Sequence, residues 1–292
     1  MKYTLFLGCN IPSRVSQYEV SARALLQQLD VAVVDLPQFV CCGYPMRNSD
    51  QMAYLASAAQ NIALAAESGL EMLVLCKCCY GSLKKAQHRL DNDAELRKHV
   101  NGVISSEGPG YQTGVEVKHL LSVLHKDVGL ERIKDRIQKK FSGLQIAVSY
   151  GCHALRPSSV TGFDDPVSPS LFDELVEITG AFSVDWARKL DCCGAPLTGV
   201  NDDLARDMAL KKLSSAKQSG AHFICTACPY THLQFDWVQD RIVAESQVAE
   251  TVPAILYPQL VGLSMSIAAE ELALEKNRLD IQHIKSFLQS EE

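Results

Sequence analysis

The sequence predicts an α/β fold made of two pseudo-repeated domains, each with a parallel sheet and crossover helices. Three observations carry this. An apolar run ending in Gly-Cys occurs twice, at Tyr3–Cys9 and Ile146–Cys152. A CCG-x-P phrase follows each run, at Cys41–Pro45 and Cys192–Pro196. Each phrase leads into an alanine-rich helical segment and then another short apolar run. Strands separated by helix-length segments call for parallel pairing with crossovers, and self-similarity across half the chain signals a duplicated unit.

Taken in order, the first run, YTLFLGC, reads as a buried strand. Ser49-Asp50 supplies short polar acceptors that start a helix, and Ser68-Gly69 stops it. In the second half Asp202-Asp203 and Ser219-Gly220 play those parts. A short strand comes next, MLVL at Met72–Leu75 and HFIC at His222–Cys225. A third unit passes from strand to helix at Gly114–Leu124 and again at Val252–Leu263. The second copy reads as a buried strand and an amphipathic helix, because Pro258, Gln259 and two serines argue against a membrane span. The halves divide into residues 1–142 and 143–292 near a short charged linker, Lys139–Gly143, so they should face one another closely. Residues Glu271–Glu292 read as a solvated tail helix.

Composition narrows the function. With 292 residues, 47% of them hydrophobic, the chain can bury a core without disulfide staples. A net charge of −6 gives no nucleic-acid footprint. The N-terminal apolar run is too short for a secretory signal, so a reducing cytoplasm is the expected setting. There, eleven cysteines gathered in groups point to metal binding or redox chemistry.

Thirty-one residues separate Cys9 from Cys41 and 33 separate Cys42 from Cys76, which forms a C-x-x-C pair with Cys79 at a strand-to-helix junction. Loops at the carboxyl ends of parallel strands converge, so these distant thiols can meet. Soft thiolates suit an iron–sulfur cluster or zinc, and a metal-free thiol–disulfide pair is the third alternative. Five thiols exceed a tetrahedral zinc set, and the close-spaced ferredoxin run is absent.

In the second half, Cys152, Cys192 and Cys193 repeat the pattern, but two readings exist for the remainder. One takes Cys225 and Cys228 as the C-x-x-C pair. The other aligns the flanks, matching Gln87 with Gln239 and Arg89 with Arg241. It sets Cys228 opposite Cys76 and Thr231 opposite Cys79, leaving Cys225 an uncertain neighbour. Cys78 has no counterpart at Tyr230 and reads as noncoordinating. His153, beside Cys152, reads either as a donor to sulfur and proton source for a leaving thiolate, or as a residue that fixes the loop.

The spaced GC, CCG and CxxCY cysteines, with YGCHALRP at Tyr150–Pro157, resemble the cysteine-rich CCG domain family and the B subunit of heterodisulfide reductase. The resemblance covers nearly the whole chain. It implies a non-cubane 4Fe-4S cluster held by Cys9, Cys41, Cys42, Cys76 and Cys79. It further implies a second iron–sulfur cluster, or an altered metal site where Thr231 departs from the pattern, with a disulfide or other sulfur-containing substrate between them. The implied partners are a flavoprotein (the A subunit) and a ferredoxin-like iron–sulfur protein (the C subunit), with peripheral membrane association only through such partners. The altered second half points to a bacterial heterodisulfide-reductase-like form. A noncatalytic iron–sulfur relay and a zinc-stabilised interaction module are the competing functions.

Overall fold

The computed structural model describes residues 1–105, 108–246 and 251–290. The first sheet comprises β1 (Lys2–Phe6), β2 (Ala32–Val34), β3 (Glu71–Val74) and β4 (Val117–His119), all parallel, in the order β2-β1-β3-β4. β5 (Lys139–Phe141) lies between the sheets in sequence. The second sheet comprises β6 (Gln145–Val148), β7 (Phe182–Ser183), β8 (Phe223–Thr226) and β9 (Ala254–Leu256), again parallel, in the order β7-β6-β8-β9. The duplication therefore holds at the level of strand order.

It also holds at the level of register. Tyr3 pairs with Glu71 in the first sheet, and Ile146 pairs with Phe223 in the second. Counting on from Glu71 and Phe223 sets Cys76 opposite Cys228, Cys79 opposite Thr231, and Leu73 opposite Cys225. An independent contact agrees. Gln87 donates to the Val115 carbonyl, and Gln239 donates to that of Val252, one lying two residues before β4 and the other two before β9.

The helix Gln51–Glu67 begins at an Asp50 cap, whose carboxylate accepts from Ala53 N. Its counterpart Asp202–Gln218 is capped by Asn201, so Asp202-Asp203 sits in the first turn, where carboxylates favour the positive end of the helix dipole. One continuous core runs through both halves, from Leu5 and Phe6 to Phe223 and Leu256, so the halves are fused by apolar burial. The helix Lys77–Asn92 supplies much of the seam. A Cβ on Gly81 would lie 2.2 Å from the His153 carbonyl oxygen, which only a glycine permits. Lys77 Nζ donates to the Ser149 carbonyl, and His119 Nε2 to that of Ala227.

Two expectations are corrected. The helix Tyr257–Ser264 is buried on every side instead of amphipathic, with Gln259 satisfied inside by the Leu272 carbonyl and Asn277. The tail is neither solvated nor a continuous helix. Leu272, Leu274, Ile281 and Ile284 are buried, in short 3₁₀ segments and the links between them. The Asp236 carboxylate takes up Arg278 N and Leu279 N, which interrupts any helix there. The tail ends in β10 (Leu288–Ser290), antiparallel to β5; residues 291–292 lie outside the described residues. Among the described residues no helix is long and apolar enough to cross a membrane.

Candidate metal centre

Each CCG loop turns through a glycine in the left-handed region, Gly43 at φ 78° and Gly194 at φ 82°. The turn presses the loop onto the following helix: a Cβ would lie 2.6 Å from the Tyr54 carbonyl oxygen in one half and 2.6 Å from that of Ala205 in the other. Side chains from those helices then brace each loop. Asn61 donates to the Cys41 carbonyl and accepts from Val40 N, while Lys212 Nζ donates to the Asp191 and Lys189 carbonyls.

These loops bring the first-half thiols into a connected series. Cys9 lies beside Cys41, Cys41 beside Cys42, Cys42 beside Cys79, and Cys79 beside Cys76. Cys76 caps the helix Lys77–Asn92, its sulfur accepting from Cys79 N at 3.4 Å. Cys9 is exposed and Cys41 half-buried, whereas Cys42, Cys76 and Cys79 are buried. The series thus runs from solvent to the seam between the halves.

The second half repeats the start of this series and changes its end. Cys152 lies beside Cys192, and Cys192 beside Cys193. Thr231 Oγ1 donates to Cys193 Sγ at 3.6 Å, occupying the place that Cys79 holds against Cys42. Cys228 points to the seam and lies 4.0 Å from Cys76 Sγ. Cys78 joins them: the sulfurs of Cys76, Cys78 and Cys228 all lie within 4.8 Å of one another, a buried group able to hold a metal ion. Cys225 is buried on β8, and among the described residues it makes no hydrogen bond to another thiol.

Ionisation follows the same plan in the two CCG pairs but differs at the seam. There, against its burial, contacts with Cys228, Cys78 and Cys79 lower the Cys76 thiol, while burial raises Cys228 to about 11. Hydrogen bonds from Cys42 and Cys9, with help from Gly43 N, lower the Cys41 thiol to about 3. Cys152 and Cys193, with Gly194 N at 3.4 Å, lower Cys192 likewise. A thiol flanked by two donors ionises first, and its neighbours are pushed up in consequence.

His153 stands between Cys78 and Cys152. Its Nδ1 is 3.4 Å from Cys78 Sγ and 3.9 Å from Cys152 Sγ. Arg47 Nη1 lies 3.3 Å from Nε2, with Tyr44 Oη at 3.2 Å. Arginine can only donate, so Nε2 accepts and Nδ1 carries the proton toward sulfur. Burial, with Arg47 and Lys85 nearby, lowers this imidazole to about 4. It is therefore a neutral donor at neutral pH, not a charged acid.

Two residues that the sequence pattern does not single out complete the centre. Lys77 and Lys212 are each 1% exposed. Their ammonium groups meet backbone carbonyls, and neither has a carboxylate partner among the described residues. Burial lowers Lys77 to about 7 and Lys212 to about 8, while nearby cysteines pull both back up, with Asp191 adding to the pull on Lys212. Buried cations without carboxylates need another anion. Clustered thiolates provide one, so the charge balance as well as the soft donor set fits a metal–sulfur group. The only sequence sign is a polar residue amid a cysteine-rich or alanine-rich run, and Lys212 is further disguised by facing Asn61 in the other half.

A cavity of about 520 Å³ opens next to this centre. Arg14, Trp237, Arg241 and Arg278 line it together with Asp240 and with Tyr230, which follows Cys228 by two residues.

Comparison with known proteins agrees with the duplication. Residues 3–84 and 146–236 match the CCG cysteine-rich domain. Over 95% of its length the chain is 37% identical to the B subunit of the Ferredoxin/F(420)H(2)-dependent CoB-CoM heterodisulfide reductase of Methanosarcina acetivorans, covering 94% of that protein. It is 33% identical to a protein of Archaeoglobus profundus described as like the heterodisulfide reductase B subunit, over 94% of this chain and 93% of that one. It is 32% identical to the 8-methylmenaquinol:fumarate reductase membrane anchor subunit of Wolinella succinogenes, over 96% of this chain and 97% of that one. A crystal structure of a hypothetical protein from Helicobacter pylori shares the fold at a TM-score of 0.77 and 17% identity, with 96% of this chain covering 52% of the other. The chain belongs to the CCG cysteine-rich domain family, among the proteins like the heterodisulfide reductase B subunit.

Proposed function

We propose that this chain is the iron–sulfur subunit of a heterodisulfide-reductase-like oxidoreductase, moving electrons to or from a disulfide or related sulfur substrate. The observation that carries this is the meeting of two thiol series at the seam, Cys76 against Cys228 at 4.0 Å. On this reading Cys9, Cys41, Cys42, Cys76 and Cys79 hold a non-cubane 4Fe-4S cluster in the half 1–142. Cys152, Cys192, Cys193 and Cys228 hold a second iron–sulfur group or altered metal site in the half 143–292. Such groups store and release single electrons.

The other residues have tasks that follow from their positions. His153 directs Nδ1–H at sulfur and steadies the Cys152 loop. Lys77 and Lys212 offset the negative charge of the thiolates. The cavity beside Tyr230 admits the substrate, and with three arginines to one aspartate it favours an anionic one. The partners are a flavoprotein (the A subunit) and a ferredoxin-like iron–sulfur protein (the C subunit), in the cytoplasm. This motif set lacks a nucleotide fingerprint, so electrons must reach it through another protein.

A second reading, a relay that passes electrons without touching a disulfide, draws support from the similarity to a fumarate reductase subunit. Anaerobic turnover of disulfides with an artificial one-electron donor separates the two. Reduction that is lost on replacing Arg241 and Arg278 with glutamine supports the first reading. Clusters that reduce and oxidise normally while no disulfide is turned over support the relay.

A further inference from the structure

The second half lacks a thiol where the first has Cys79, because the register puts Thr231 there and its hydroxyl faces Cys193. The first half carries one cysteine more than its own series uses. Cys78 has Tyr230 as its counterpart, so it belongs to no duplicated position. It is 6% exposed, and its neighbours are sulfurs and an imidazole nitrogen.

The direction of its side chain matters. Consecutive residues on a helix point about 100° apart, so Cys78 and Cys79 leave Cys76 in different directions. Cys79 turns back to Cys42, whereas Cys78 turns to Cys228 and Cys76. Cys78 Sγ also lies 3.4 Å from His153 Nδ1, the same nitrogen that faces Cys152. Two second-half residues, Cys228 and His153, therefore enclose it. The close packing of Gly81 on the His153 backbone fixes the helix that delivers it.

We propose that Cys78 crosses the seam to supply the second-half site with the thiolate that Thr231 does not. The two changes compensate: a donor absent from one half is contributed by the other. This rests on the reading that the second half holds an iron–sulfur group, and the test separates the two claims.

The test uses the full chain, purified anaerobically, with iron, acid-labile sulfide and electron paramagnetic resonance measured on each variant and circular dichroism as the folding control. Cys78→Ala should lower iron and sulfide by about half while the first-site signal, the one abolished by Cys41→Ala, persists. Cys78→Ser, which keeps the volume, should show the same loss. Adding Thr231→Cys to Cys78→Ala should restore the wild-type iron content, because it returns a thiol to the position equivalent to Cys79. Unchanged iron and spectra in both Cys78 variants of a two-site protein would overturn the inference alone. So would a loss from both sites together that Thr231→Cys does not repair. A wild-type chain whose entire signal vanishes on Cys41→Ala would overturn the second-site reading and this inference with it.

Discussion

The two CCG loops are held alike and equipped differently. Gly43 and Gly194 adopt the same left-handed turn against the same carbonyl position, and in each pair the first cysteine ionises before the second. Around this shared frame the donors diverge. Cys79 faces Cys42 where Thr231 faces Cys193, Asn61 braces one loop where Lys212 braces the other, and Leu73 fills the strand position of Cys225. A duplicated backbone thus places atoms, and individual side chains then decide what each place does. The position of a loop is a property of turns and packing, whereas the metal it can hold depends on single residues.

That separation is open to attack at several points. The largest effect is expected where a donor is removed from the seam. Cys228→Ala should abolish metal at the second site, while Cys225→Ser, on the strand position that Leu73 fills in the other half, should leave metal bound at a stability cost of about 1 kcal/mol. Metal analysis of the two variants checks this, and equal loss from both would return Cys225 to the ligand set. Next come the turns. Gly43→Ala and Gly194→Ala should each destabilise the metal-free chain by about 2–4 kcal/mol, since the new Cβ meets a backbone carbonyl in both. Chemical denaturation should find the two losses similar, and a loss in only one half would break the equivalence.

The smallest effect concerns acid. Burial holds His119 and His232 each to about 3, against an ordinary value of 6.5. The unfolded chain therefore binds more protons than the folded one between those values, and stability falls as pH drops from 6.5. By pH 4 each histidine accounts for on the order of 3 kcal/mol. In the second half Asp236, whose carboxyl burial pushes up to about 6, takes up a proton within the same window and offsets part of the loss. His119→Gln and His232→Gln should therefore each flatten the pH dependence of denaturation midpoints by a similar amount, and unequal slopes would contradict the shared burial of the two rings.

Much of this architecture is legible in the sequence because it repeats. Strands, helix caps and the CCG turns each appear twice, and Gln87 with Gln239 marks a correspondence that the sheet register bears out. What stays hidden is what does not repeat. Cys78 looks idle in the sequence because its partners, Cys228 and His153, lie across the seam, and no spacing within one half encodes that approach. Lys77 and Lys212 stand out in no motif, since sequence cannot show that carbonyls and thiols will surround an ammonium group. The tail looks helical because its polar residues are frequent. Burial of Leu272, Ile281 and Ile284 and capture of its backbone by Asp236 are tertiary effects that override local preference.

The most direct test of a thiol-held iron–sulfur centre is the metal and sulfide content of the anaerobically purified chain, measured beside Cys41→Ala and Cys42→Ala. A brown protein with on the order of four irons and matching acid-labile sulfide for each occupied site is expected. Both variants should lose the first-site signal yet keep most of their helical circular dichroism, because the core folds without the metal. Zinc without sulfide in the wild-type chain, or iron and spectra unchanged in both variants, would contradict it.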